Sequence, residues 1–193
     1  MRALVSLELS GNIGVIRVDN PQGNMLSQPV RAGLLEAIEL AGQTSEIGAV
    51  VLLCEGDTFI SESNGPELDT LTQFSSLQSV VTAFERCDKP LICAVQGKAS
   101  GIGLDIALAC QYRIANRNTQ IVLPWARAAV TRMAKCLCRP IDAGLVGRSI
   151  CADDAQEFGI LHLVVEEDAH TTALAIGQSL AVRLPAENKM RFP

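Results

Sequence analysis

Aromatic side chains are scarce in this 193-residue chain, at 4%, and Trp125 is the only tryptophan, which marks it as a candidate core or interface anchor. Basic charge has no surplus. Lysine and arginine number 16 against 21 aspartates and glutamates, and the resulting net charge of −5 argues against a nucleic-acid partner. No apolar run free of charges reaches the ~18 residues needed to span a membrane, so no membrane partner is expected. The first ten residues lack a signal-peptide core, because Glu8 interrupts the apolar stretch that follows Arg2, and the expected location is cytoplasmic. Paired C-x-x-C spacing is missing too. The cysteines, at positions 54, 87, 93, 110, 136, 138 and 151, are odd in number and lie mostly within apolar segments, so they read as reduced core residues of a cytosolic protein. Only Cys136 and Cys138 are close together, the histidines are limited to His162 and His170, and no metal site is expected. No proline- or glycine-rich linker divides the chain. Its 48% hydrophobic content suffices for one sizeable core, and residues 1–193 read as a single domain.

What is present is an alternation of strand-like and helix-like segments. Leu4–Leu9 and Ile13–Asp19 read as a hairpin joined at Gly11-Asn12. Ser27 stands where it can cap a helix from about Gln28 to Gly42, with Pro29 at its opening and Val30, Leu34, Leu35, Ile38 and Ala41 on one face. Gly48–Cys54 reads as a buried strand, Thr70–Arg86 as a second helix and Ala169–Leu184 as a last one. The plan is α/β: a β-β-α start, then β-α steps whose parallel strands are joined by crossovers.

The stretch richest in chemistry follows Pro90–Val95, a short continuous apolar run that reads as a buried strand. The chain continues as QGKASGIGLDIALACQYRIA, from Gln96 to Ala115, turning through Gly101 and Gly103 and restarting as an amphipathic helix with Asp105 in its first turns. Glycines there let the backbone turn sharply and come close to a ligand. A helix start presents N–H groups and a positive dipole end, a combination that binds negative charge. A thioester deprotonated at its α-carbon becomes an oxyanion, and two converging N–H donors lower that barrier by roughly a few kcal/mol each. Taken alone, the glycine spacing also fits a tight strand-to-helix connection.

Over its twenty positions this stretch resembles the motif of the crotonase (enoyl-CoA hydratase/isomerase) superfamily, roughly N-G-x-A-x-G-G-G-x-E-L-A-L-x-C-D-x-R-I-A. The resemblance extends to GVIRVDNPQGNMLS (Gly14 to Ser27), AVVLLCEGDTF (Ala49 to Phe59) and GRSICADDAQEFGILHLVV (Gly147 to Val165). It implies a crotonase-like spiral of repeated ββα units, a role in fatty acid metabolism, an acyl-CoA thioester as substrate with no further cofactor, and a homo-oligomer, trimer or hexamer. With ALACQYRIAN and FGILHLVVEED, the chain is similar to the N-terminal crotonase part of bifunctional enoyl-CoA hydratase/3-hydroxyacyl-CoA dehydrogenases, and its C-terminal helical tail is shorter than that of free-standing hydratases. No G-x-G-x-x-G fingerprint follows a strand, so nicotinamide chemistry is not expected.

Carried over residue by residue, the resemblance assigns the first oxyanion-hole donor to the backbone N–H of Ser63, in Phe59-Ile-Ser-Glu-Ser-Asn64. The second falls on the N–H of Ile102, flanked by Gly101 and Gly103 in the substrate pocket. Ile102 either donates through its backbone or closes the pocket with its bulk. Family hydratases use two glutamates, one to take a proton from water and one to deliver a proton to the α-carbon. Asp105 stands at the first position and is the candidate catalytic residue; Trp125 stands at the second and cannot exchange a proton. A dehalogenase branch carries tryptophan at that place but also needs an aspartate soon afterwards, and Ala126–Ile141 has no acidic residue. From Ala126 to Gly144 the chain has no glycine before Gly144 and is shorter than the family segment, so part of one wall of the site is expected to be rebuilt as helix. Arg127, Arg132, Lys135 and Arg139 make it basic, either to meet coenzyme A phosphates or as a solvated helix face. Gly65–Asp69 lacks the lysine that the family often places there.

Three functions remain open from these residues. One is an enzyme in which Ser63 and Ile102 hold a thioester oxygen while Asp105 shuttles a proton. Another is a catalytically impaired homologue that binds acyl-CoA or a protein and serves assembly. The third is a different thioester reaction, hydrolysis or decarboxylation, on the same fold.

Overall fold

The computed structural model describes residues 3–21, 23–61, 71–124, 127–138, 140–166 and 168–183. Its centre is a strand buried along its whole length, β3 (Ala49–Cys54), which follows β1 (Val5–Ser10), β2 (Ile13–Val18) and helix α1 (Gln28–Gln43) in the chain. Helix α2 (Leu71–Glu85), β4 (Leu91–Val95), the short β5 (Lys98–Ser100) and α3 (Gly101–Ala109) come next. Then follow β6 (Tyr112–Asn116), β7 (Gln120–Val122), α4 (Arg127–Cys136), β8 (Ser149–Cys151), α5 (Ala152–Glu157), β9 (Leu163–Val165) and α6 (Ala169–Arg183). Six strands form one sheet in the order β1-β2-β3-β4-β6-β9, and β5-β7-β8 form a second, smaller sheet.

Within the large sheet only β1 and β2 run antiparallel, from Val5 opposite Val18 to Ser10 opposite Ile13. The pairs β2–β3, β3–β4, β4–β6 and β6–β9 are parallel. A parallel sheet covered on both faces needs apolar residues at successive positions, which explains why AVVLLC and LICAV are unbroken apolar runs. Val50, Leu52 and Cys54 of β3 enter the larger core, against Val30, Leu34 and Ile38 of α1 and Val80, Val81 and Phe84 of α2. The alternate residues Ala49, Val51 and Leu53 enter a smaller core with Ala169, Ala173 and Ala181 of α6. The strand period of two thus feeds two cores at once.

Helix α1 confirms the expected span to within one residue. Ser27 does occupy its N-cap position with Pro29 in the first turn, but the Ser27 side chain makes no cap hydrogen bond. At the other end, Thr44 N–H donates to the Leu40 carbonyl at 3.0 Å, and the Lys89 ammonium donates to the carbonyls of Ala41 and Thr44. Two expectations are corrected. Helix α3 is not amphipathic: every residue from Ile102 to Ala109 is buried, because the helix lies between α2, α4 and the strands. The cysteines are not uniformly core residues either. Cys54, Cys93 and Cys110 are buried and Cys87 partly so, whereas Cys136, Cys138 and Cys151 are exposed, because the end of α4 and the start of α5 lie at the surface.

Candidate active site

Two backbone segments distant in sequence meet at the start of α3. One is Phe59–Ser61, with Phe59 and Ile60 fully buried. Its far end is tied to the loop before α1: Leu26 N–H donates to the Ser61 carbonyl at 3.0 Å, Ser61 N–H to the Asn24 carbonyl at 3.3 Å, and the Ser61 hydroxyl to the Gly23 carbonyl at 2.7 Å. Its near end is tied to β5, Phe59 N–H donating to the Lys98 carbonyl at 3.3 Å. The second segment is the first turn of α3. Gly103 packs directly on the Ile60 carbonyl, and a Cβ at position 103 would overlap that oxygen. Gly101 opens the helix at φ +51°, a left-handed conformation that costs glycine least.

The first-turn N–H groups of a helix point along its axis toward whatever sits beyond its end, and they carry the positive end of the helix dipole. In α3 that turn contains Gly101, Ile102 and Gly103. The Ile102 side chain, 7% exposed, packs into the larger core. Asp105 is a buried acidic residue, 9% exposed, three residues on from Ile102 and four from Gly101. That spacing puts it on the same helix face, and helical side chains lean toward the N-terminus, over the first turn.

Of the residues singled out from sequence, Gly101, Ile102, Gly103 and Asp105 therefore share the opening turns of one helix that abuts Phe59–Ser61. Ser63 and Trp125 lie outside the described residues. The helix expected after Trp125 exists as α4, which packs against α3. Lys135 on α4 is exposed, while the side chains of Arg127 and Arg132, and Arg139 as a whole, lie outside the described part. A cleft of about 730 Å³ opens elsewhere, between α1 and α2, lined by residues that include Ile38, Glu39, Gln78, Thr82 and Arg86. Among the described residues, Gly101, Ile102, Gly103 and Asp105 do not line it. Among the described residues no group of three or more potential metal ligands gathers.

The fold, in which β4 leads through β5 and a glycine turn into a buried helix carrying one acid, is shared with solved structures of the crotonase class. The chain belongs to that family: the model described as enoyl-CoA hydratase/isomerase matches residues 8–191. The human peroxisomal bifunctional enzyme is 30% identical over 183 residues, a match covering 90% of this chain and 25% of that protein. The chain spans about a quarter of the length of the bifunctional relatives it matches. The short-chain-enoyl-CoA hydratase of Clostridium acetobutylicum is 25% identical over 207 residues, covering 96% of this chain and 78% of that protein. The crystal structure of an enoyl-CoA hydratase from Bacillus anthracis shares the fold, with a TM-score of 0.83 at 22% identity, over 92% of this chain and 76% of that one. Among the described residues no helix is long and apolar enough to cross a membrane.

Proposed function

We propose that this chain binds an enoyl-CoA and carries out isomerase/hydratase-like chemistry through the enolate of its thioester. The carboxylate of Asp105 takes a proton from the α-carbon of a 3-enoyl thioester, and the electron pair moves into the carbonyl. The resulting oxyanion is held by the backbone N–H groups of Ser63 and Ile102. The same carboxyl group returns its proton at the γ-carbon, leaving the conjugated 2-enoyl thioester. One carboxylate suffices for this double-bond shift, whereas hydration calls for a second proton-transfer group on the far side of a water. The observation that carries the reading is the seat of Gly103 on the Ile60 carbonyl, which brings the start of α3 against the segment leading toward Ser63, with Asp105 one turn along the helix.

Coenzyme A enters as part of the substrate, and no separate cofactor is proposed. The family resemblance supports a trimer or hexamer and a single domain over residues 1–193; light scattering reads the assembly. A second reading, a binding or assembly protein without turnover, is favoured by one feature: by the family resemblance, Trp125 falls at the position of the second glutamate of the hydratases.

Rates of crotonyl-CoA hydration and 3-enoyl-CoA isomerisation test the proposal in the wild type and in Asp105→Asn. Loss of a general acid-base group lowers a rate by about 10²–10⁴-fold. Rates above background that do not change in the variant contradict the role of Asp105. If the wild type turns over neither substrate and calorimetry detects no acyl-CoA binding, the assembly reading replaces it.

A further inference from the structure

The loop that joins β3 to Phe59 is held by two primary amides approaching from different parts of the chain. Asn24, 2% exposed, comes from the loop before α1. Its Nδ2 donates to the Glu55 carbonyl at 2.7 Å and the Thr58 carbonyl at 2.8 Å, while its Oδ1 accepts from Asn20 N–H at 3.0 Å. Asn24 sits at φ +49°, in the left-handed region where asparagine is better tolerated than most side chains. Gln96 comes from the end of β4. Its Nε2 donates to the Cys54 carbonyl at 2.8 Å and to the Gly56 carbonyl. The carbonyl of Asp57, the one position of Cys54–Thr58 not bonded by either amide, is seated against Gly97, where a Cβ would overlap it.

We infer that Asn24 and Gln96 are positioning residues for the candidate site at the start of α3: together they fix the path of Cys54–Thr58 and thereby set where Phe59–Ser61 meets the first turn of α3, which carries the Ile102 donor. The inference rests on the enolate reading above. Neither side chain takes part in proton transfer. Each amide has two N–H bonds and spends both on carbonyls of this one loop, so its loss removes two bonds at once, although Glu55 N–H still donates to the Val18 carbonyl at 2.8 Å and the Glu55 side chain still pairs with Arg17. An oxyanion donor acts through its placement relative to the developing charge, and a misplacement of about 1 Å from a distant change can cost on the order of 100-fold in rate. Substrate contacts made before charge develops depend far less on that placement.

The variants Asn24→Asp and Gln96→Glu keep size and shape but turn a carboxylate oxygen toward the carbonyls. Asn24→Ala and Gln96→Met remove the donors without adding charge, and each decides the matter at its own position if the acidic variant there fails to fold. Steady-state 3-enoyl-CoA isomerisation gives kcat and KM for each folded variant, with thermal unfolding alongside. The inference predicts that kcat falls about tenfold or more while KM stays within about threefold. A lower melting temperature with unchanged kcat, or kcat and KM altered in equal proportion, makes the two amides merely structural and overturns it, while wild-type turnover leaves the enolate reading standing. Absence of wild-type turnover is a different result, which overturns the enolate reading and this inference with it.

Discussion

Changing Gly103 to alanine adds a single methyl group at the place already filled by the Ile60 carbonyl oxygen. In an exposed helix interior the same change is favourable by about 1 kcal/mol, since alanine is the better helix former. Here the obstacle is backbone, held at Phe59 and Ser61 by hydrogen bonds to Lys98, Asn24 and Leu26, and it cannot swing aside like the end of a side chain. Overpacking of this kind costs about 1–3 kcal/mol. Because the clash is with backbone, the upper part of that range applies, leaving a net loss of about 1–2 kcal/mol. For a chain of this size each kcal/mol moves Tm by about 2–4 °C, so a fall of about 2–8 °C follows. Gly42→Ala is the control: it lies in α1 with no atom within 4 Å of the added Cβ, and it should gain a few tenths to about 1 kcal/mol. Differential scanning calorimetry of both variants reads the contrast. If Gly103→Ala raises Tm as Gly42→Ala does, α3 is not seated on Ile60 and the geometry proposed for the site collapses.

Other expectations concern the rest of the molecule. Burial of the His162 ring and the nearby Arg113 guanidinium lower its pKa from 6.5, and Nδ1 accepts from Arg113 N–H at 3.2 Å. The unfolded chain then binds more protons than the folded one just below pH 6.5, so stability is full above that pH and is lost as pH falls. Denaturant midpoints measured between pH 7 and 5 should drop, and His162→Gln should flatten the drop; an unchanged slope counts against the assignment. Thiol reagents should label Cys136, Cys138 and Cys151 quickly in the native protein, Cys87 more slowly, and Cys54, Cys93 and Cys110 only on unfolding. Burial raises the pKa of Cys54 and Cys87, which lowers their thiolate fraction further, and uniform labelling of all the cysteines would refute the core packing. Arg117 bonds Glu166 at 2.7 Å, but both side chains are well exposed, so Arg117→Ala should cost at most about 1 kcal/mol in urea unfolding. A loss twice that size would show that the pair supports more than itself.

The large sheet was legible because its strands announce themselves: AVVLLC and LICAV are too apolar for any place but a doubly covered sheet, and the 3.6-residue period over Gln28–Gln43 needs no tertiary information. The small sheet was not. Strands β5, β7 and β8 have three residues each, too few for an alternation to emerge. Helix α3 misled by its Asp105, which suggests a wet face, while its other residues are uniformly small or apolar; the helix is buried all round and carries its one acid inward. Gly101, Gly103 and Asp105 could be picked out in advance because backbone chemistry at a helix start depends on residues adjacent in sequence. Asn24 and Gln96 could not, since their partners lie 31 to 42 residues away on a loop recognisable only once the strands are paired. The one local hint was Asn24, a polar residue next to Gly23 at the approach to an apolar helix face.

Asp105 is proposed to remove a proton from the α-carbon of a thioester whose enolate is held by backbone N–H groups. Turnover of a 3-enoyl-CoA deuterated at the α-carbon, with the label followed to the γ-carbon by deuterium NMR, reports that transfer directly. Wild-type protein should move deuterium from the α- to the γ-carbon, and Asp105→Asn, still folded and still binding the thioester, should do so about 10²–10⁴-fold more slowly. Equal transfer rates for the two proteins would rule out that role of Asp105.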